Sequence, residues 1–273
     1  MISRDPLPAV PRVLAVANQK GGVGKTTTAI NLGTALAAIG ETVLIVDVDP
    51  QGNASTGLGV ERNPGAPSTY DVLVGETSLL EVACETAVPR LLLAPSTLDL
   101  LGVELEIAAL PDRNFRLRKA VAGLADVASG PAFTYVLVDC PPSLNLLTIN
   151  AMAASHAVLV PLQCEFFALE GLSQILSTVE RVRAGLNPGL TIHGVVLTMF
   201  DGRNKLSGQV VEDVRAHLGD KVYRTVIPRN VRVSEAPSHG KPALLYDLRC
   251  AGSQAYLRLA SEIIQRERTL RAA

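Results

Sequence analysis

The stretch Asn18-Gln19-Lys20-Gly21-Gly22-Val23-Gly24-Lys25-Thr26-Thr27-Thr28 decides the fold, because of what lies on either side of it. Before it runs Val13 to Ala17, an unbroken apolar stretch that reads as a buried strand; after it, Lys25 to Ile39 has helical periodicity. Strand, glycine-rich turn and helix in that order form a phosphate-binding loop. The glycines let the chain turn tightly and aim several backbone N–H groups at one point, and the helix N-terminus adds partial positive charge. Lys25 then brings a full charge to the β- and γ-phosphate oxygens, and the Thr26 hydroxyl is placed to coordinate Mg²⁺. Gly21, Gly22, Val23, Gly24 and Thr27 complete the predicted cradle. The general pattern has glycine at position 19, where this chain has Gln, and this chain carries an additional lysine at Lys20. A glycine-rich turn with incidental lysines is the competing reading; the agreement of strand, loop and helix disfavours it.

Working outward, apolar β-branched runs alternate with helical segments. Strands are predicted at Thr42 to Val48, Leu91 to Ala94, Tyr135 to Asp139, Ala157 to Pro161, Ile192 to Met199 and Val222 to Ile227. Helices are predicted at Asn114 to Leu124, Leu169 to Ala184, Ser207 to Leu218 and Ser253 to Arg268. The pattern implies an α/β fold: one doubly wound, mostly parallel sheet with helices on both faces, and a single domain over residues 1–273. All strand C-termini then lie on one edge, where ligands bind. Gly52 to Pro67, rich in Gly, Asn, Ser, Thr and Pro, reads as an exposed, mobile loop after the second strand.

Composition narrows the function. With 48% hydrophobic and 19% charged residues, the chain is that of a folding globular protein, not a disordered one. Cys84, Cys140, Cys164 and Cys250 form no CxxC pair, so neither a zinc site nor a disulfide framework is suggested, and they read as small core residues of a reducing compartment. No apolar stretch of about 18 residues is present to span a bilayer, and Met1 to Pro11 lacks a signal-peptide core, so the expected location is the cytoplasm. The net charge of −1 conceals a division: residues 1–180 carry 10 Lys/Arg against 18 Asp/Glu, residues 181–273 carry 15 against 8. A basic C-terminal third hints at a polyanion, with solvated helix faces as the alternative.

The KGGVGKTTT run (Lys20 to Thr28), followed by VLIVDVDPQGN (Val43 to Asn53) and VLVDCPPS (Val136 to Ser143), resembles the deviant Walker A ATPases, and among them the ParA/Soj group of chromosome- and plasmid-partitioning ATPases. The likeness continues through LVPLQCEFFALEGL, VVLTMFDGRNKL and VYRTVIPRNVRVSEAPSHGKP, hence over nearly all of the chain. It implies a Mg²⁺-dependent, slow ATPase that forms a homodimer when ATP is bound. Such dimers bind double-stranded DNA without sequence preference and associate with the nucleoid, and a ParB-like centromere-binding partner stimulates hydrolysis and releases them.

The residues divide into roles on that basis. Asp139, closing an apolar strand, fits the carboxylate that holds Mg²⁺, and Pro141 and Pro142 restrict the loop behind it. Asp47 and Asp49 end the second strand; a pair of turn-capping aspartates is the plainer reading. By resemblance Asp49 orients or activates the attacking water and Asp47 supports the phosphate or Mg²⁺ site, which makes Lys20, Lys25 and Asp49 the catalytic set. Lys20 resembles the family's signature lysine, which reaches across the dimer to the partner's phosphates like an arginine finger. Pro228, Arg229 and Asn230 resemble the segment that holds adenine, with Met199 against the ring; a plain strand-ending turn competes. Arg203 and Arg232 are carried over as DNA contacts with Lys205 beside them, although scattered solvated charges would look the same.

Only 19 residues precede Lys20, too few for a helix-turn-helix, so reading of a specific operator is not expected. Three other classes are weighed. A membrane-positioning ATPase of the MinD type would need an amphipathic C-terminal helix, and SEIIQRERTLRAA has few large apolar residues, so no stable membrane binding is expected. A P-loop biosynthetic ligase would act on a small substrate. A reductase of the same fold would need paired cysteines.

Overall fold

The computed structural model describes residues 10–61, 65–125 and 131–272. Eight strands form one sheet: β1 Arg12–Val16, β2 Val43–Asp47, β3 Cys84–Glu85, β4 Leu91–Ala94, β5 Tyr135–Asp139, β6 Ala157–Gln163, β7 Thr191–Phe200 and β8 Val222–Pro228. Their spatial order is β3-β4-β2-β5-β1-β6-β7-β8, and every pair is parallel except β3 with β4. The predicted strands all form, to within two residues at each end; β3, two residues long and antiparallel, has no apolar run to announce it.

Alternation along each strand sends successive side chains to opposite faces. Val13, Ala15, Leu44, Val46, Val136 and Val138 enter one core, which the helices Leu146–Ala154, Ala168–Gly185 and Lys205–Leu218 help to cover. Leu14, Val16, Val43, Ile45 and Leu137 enter the other, under the helices Lys25–Ala38 and Ala251–Ala272. Both faces are dry, which is why these strands read as continuous apolar runs and not as alternation. Truncating one such residue, for example Leu44 to Ala, costs about 2–5 kcal/mol.

One reading of the sequence is corrected, and one helix had no periodic signal to announce it. Helix Leu146–Ala154 escapes periodicity because LLTINAMAA is apolar nearly all round and so has no stripe; its start is set by Asn145, whose side chain accepts from the Thr148 N–H at 3.1 Å. The segment taken as an exposed loop from Gly52 opens instead with a short helix, Asn53–Gly57, whose Ala54 and Ser55 are buried along with Leu58. Residues 62–64 of that segment lie outside the described ones. Among the described residues no helix is long and apolar enough to cross a membrane.

Candidate functional site

The loop Asn18 to Gly24 leaves β1 in the middle of the sheet and enters the helix Lys25–Ala38. Its shape depends on Gly22 (φ +74°) and Gly24 (φ +89°), both in the left-handed region that disfavours other residues. Gly24 is also the helix N-cap, so no side chain caps that helix and no acid sits in its first turn. The helix Thr69–Val74 makes a useful contrast: there Ser68 and Asp71 form a reciprocal capping box. Where a side chain is withheld, the first-turn N–H groups are left to an anion.

The loop is held from outside. Asn18 donates from Nδ2 to the Pro161 carbonyl (2.8 Å) and accepts the Lys20 N–H at Oδ1 (3.1 Å). Thr198 on β7 donates to the Val23 carbonyl (2.8 Å), and Gln19 donates to the Thr178 hydroxyl (2.7 Å). Lys25, only 6% exposed, donates its ammonium to the Lys20 carbonyl at 2.9 Å. Burial pushes the Lys25 pKa down against the opposing pull of Asp139 and Asp49.

Two carboxylates end neighbouring strands here, and one of them, Asp139, lies in the field of Lys25. Asp47 and Asp139 are register partners on β2 and β5, and Asp139 is also the register partner of Val16, the last residue of β1. Both are fully buried. Asp47 Oδ1 accepts the Asp49 N–H at 3.0 Å, whereas Asp47 Oδ2 and both Asp139 oxygens have no hydrogen-bond partner. Burial raises the Asp47 pKa to about 7 and, with the nearby charge of Asp47, takes Asp139 well above its usual value. The Thr26 hydroxyl lies near enough to favour the ionised Asp139, though no hydrogen bond of ordinary length forms.

Buried acceptors without donors are rare and call for a partner. Their chemistry fits a hard cation: oxygen donors, two strands converging, and Thr26 opposite. Among the described residues no group of three or more His, Cys, Asp or Glu is placed to hold a metal. The chain alone therefore offers only part of a coordination shell, as Mg²⁺ shared with phosphate oxygens and water requires.

Asp49 is buried too; its Oδ1 accepts the Gln51 N–H at 3.0 Å and its carbonyl accepts from the Ser96 hydroxyl at 2.6 Å. Lys20 pairs with Glu165, and its ammonium lies 5.8 Å from the centre of the Phe167 ring. Phe166 and Phe167 are exposed and meet edge to face. Glu165, Asn18, Ser96 and Thr198 carried no role in the reading of the sequence. All but Ser96 stood in quoted stretches, but their contacts join segments far apart in the chain, 145 positions in the case of Lys20 and Glu165.

At the far end of the same edge, Met199 (φ +52°) closes on the loop, its Cε 3.8 Å from where a Cβ on Gly24 would stand. Pro228 is the register partner of Phe200, and the Arg229 N–H donates to the Phe200 carbonyl at 2.9 Å, so Met199 and the 228–230 segment are brought together. Asn230 uses its Oδ1 to cap the helix Val231–Glu235, accepting from the Arg232 and Val233 N–H groups. Arg203 makes a two-pronged pair with Asp201 (2.9 and 2.8 Å), and those hydrogen bonds draw the Asp201 pKa down to about 2. Arg232 pairs with Glu235 at 3.1 Å. Lys205 opens the helix after β7 and is exposed.

Fold and site together define a P-loop nucleotide-binding protein of the doubly wound class. A family profile described as an AAA domain matches residues 11–192. The chromosome partitioning protein ParA of Caulobacter vibrioides is 64% identical over 271 residues, 99% of each chain. The sporulation initiation inhibitor protein Soj of Bacillus subtilis is 51% identical over 92% of this chain and 98% of its own. Among solved structures, cobyrinic acid a,c-diamide synthase from Mycobacterium smegmatis with bound ADP and magnesium superposes with a TM-score of 0.81 at 36% identity (95% of this chain, 96% of that one). The cell division ATPase MinD of Pyrococcus furiosus gives 0.76 at 29% (94% and 99%). The chain belongs to the ParA/Soj family of chromosome-partitioning ATPases.

Proposed function

We propose that this protein is a single-domain, cytoplasmic, nucleoid-associated DNA-segregation ATPase that hydrolyses ATP slowly with Mg²⁺. ATP-bound homodimers bind double-stranded DNA without sequence preference, and a ParB-like centromere-binding partner stimulates hydrolysis to release them. The observation that carries this reading is the unpartnered oxygens of Asp139, near Lys25 and Thr26 and with Asp47 as its register partner, beside a glycine loop that leaves its helix uncapped.

In this reading the N–H groups of Gly21 to Gly24 and of Thr26 and Thr27 take the phosphates, and Lys25 neutralises the β and γ oxygens. Thr26, Asp47 and Asp139 would hold Mg²⁺, which supplies charge neutralisation at the transferring phosphoryl group. Asp49, its carboxylate oriented by the Gln51 N–H, positions the attacking water and accepts its proton. Lys20 exchanges Glu165 for the phosphates bound to the second protomer. That exchange is cheap, since the Lys20 side chain is 41% exposed and pairs of this kind contribute about 0.2–1 kcal/mol. Met199, Pro228, Arg229 and Asn230 enclose the base, and Arg203, Lys205 and Arg232 contact DNA phosphates.

Two specific likenesses keep other classes in view. The synthase shares this fold at 36% identity, but the partitioning relatives reach 64% over nearly the whole length, which favours segregation over small-molecule ligation. The MinD likeness raises membrane binding, yet Tyr256, Leu259, Ala260 and Ile263 of the last helix are buried against the sheet, so that apolar stripe is already occupied. The reading is tested by sizing the purified protein with ATP, ADP or no nucleotide, with and without duplex DNA. A dimer and a DNA complex are expected only with ATP; DNA binding indifferent to nucleotide would overturn it.

A further inference from the structure

Between β4 and β5, residues Leu98 to Ile107 divide their apolar side chains in two. Leu100, Val103 and Ile107 are buried and anchor the segment in the core. Leu98, Leu101 and Leu105, spaced by three and four residues, point outward and are 60%, 67% and 84% exposed. Single exposed leucines are ordinary, but three on adjoining turns form a ridge that invites a partner.

Acids surround the ridge. Asp99, Glu104 and Glu106 lie within it, and no Lys or Arg occurs between Arg90 and Arg113. Arg113 is turned onto the Ala108 carbonyl (2.6 Å). Tyr70 donates to Glu106 and lies in the field of Glu76 and Asp99 as well, so three carboxylates surround one phenol. A second copy of the chain set ridge to ridge would bring these like charges together, and DNA phosphates would be repelled by them. A protein segment with apolar residues on one side and Lys or Arg on the other answers both features.

The ridge is also tied to both carboxylate-bearing loops. Ser96, two residues before Leu98, donates to the Asp49 carbonyl at 2.6 Å. Glu104, inside the ridge, accepts the Leu146 N–H at 2.7 Å, where the chain that leaves Asp139 through Pro141 and Pro142 enters its helix. Thr69, next to Tyr70, donates to the Asp47 carbonyl at 2.7 Å. Three hydrogen bonds thus link the ridge segment, and Thr69 next to Tyr70, to the Asp47 and Asp49 carbonyls and to the start of the helix after Asp139.

We propose that the Leu98–Leu101–Leu105 ridge is the docking surface for a basic amphipathic segment of the partner protein, and that its occupation resets Asp49 for hydrolysis. This deepens the proposed function and rests on it. The test uses the full chain, the full-length centromere-binding protein of the same organism, and two double variants, L101S/L105S and E76K/D99K. Every altered side chain is exposed, so basal ATP turnover and ATP-dependent DNA binding are expected to stay at wild-type levels, which also reports folding. The partner concentration for half-maximal stimulation is expected to rise roughly tenfold or more in each variant. Added salt should weaken stimulation of the wild type and have much less effect on E76K/D99K. Stimulation of both variants at wild-type concentrations overturns the inference. So does loss of the ATP-dependent dimer in L101S/L105S without partner, which would make the ridge a face between copies. Wild-type protein that is stimulated while both variants respond at its concentrations overturns the inference alone; wild-type protein that is not stimulated, or does not bind DNA with ATP, overturns the function on which it rests.

Discussion

The two edges of the sheet bury the same kinds of residue to opposite effect. At the edge where the strands begin, Glu267 accepts from Arg12 Nε (2.8 Å) and pairs with His193 Nε2 (2.7 Å), while His193 Nδ1 meets the Tyr223 hydroxyl. Arg266 lies 4.3 Å over the Tyr223 ring and donates to the His193 carbonyl. Each charge there has its counterpart, and the network fastens the last helix to β1, β7 and β8. At the edge where the strands end, Asp47 and Asp139 are as deeply buried but keep three oxygens without a donor. Burial opposes ionisation at both edges. For Glu267, the hydrogen bond from His193 and the charge of Arg12 outweigh it, and the pKa falls; for Asp47 nothing of that size is present, and it rises to about 7. A satisfied buried network contributes stability, and an unsatisfied one is held ready for a ligand.

The comparison can be broken most directly at Asp49. Asp49→Ala is expected to lower ATP turnover by about a hundredfold or more, measured by phosphate release, with the melting temperature hardly changed. Next, Glu267→Ala should cost about 3 kcal/mol by leaving buried partners unpaired, which calorimetry would read as a fall of roughly 6–12 °C, while ATP binding persists. The Glu267 contribution is present above its ordinary value of 4.5 and lost as pH falls through its lowered folded pKa, so the wild type should soften in acid where the variant does not.

Asp47 gives the opposite sign. Its folded pKa exceeds the ordinary 3.8, so the stability it contributes is present below 3.8 and lost as pH rises through about 7. Asp47→Asn should therefore flatten the decline of the nucleotide-free melting temperature between those values, and should reduce the stabilisation given by Mg²⁺-ATP. An unchanged pH profile would remove the contrast between the edges. The smallest effect on stability is expected from the double variant Arg203→Ala, Arg232→Ala, since both pairs are at the surface; melting should not change measurably. Its readout is DNA affinity: the four arginine contacts per dimer should contribute about −3.6 to the slope of log affinity against log salt, and the variant should lose that share and keep the part due to Lys205.

Much of this was legible in consecutive residues. The glycine spacing, Lys25 and the apolar runs are local patterns, and strand, loop and helix formed where those patterns placed them. Helix Leu146–Ala154 was not legible because a helix buried nearly all round has no polar face to mark its period. The pairing of Lys20 with Glu165, the Ser96 hydrogen bond to Asp49, and the division of Leu98 to Ile107 into inner and outer residues had no local signal, since each depends on segments far apart in the chain.

The amino-acid order by itself determined that a phosphate loop would sit at the end of a buried strand, because backbone geometry at Gly22 and Gly24 and burial of β-branched residues are decided within a few residues. Only the tertiary structure decided which carboxylates would gather beside the phosphate loop. β5 lies between β2 and β1, which puts Asp139 beside Asp47 across strands separated by more than eighty residues of sequence. That placement follows from crossover connections and the packing of helices on two faces, and no run of neighbouring residues carries it.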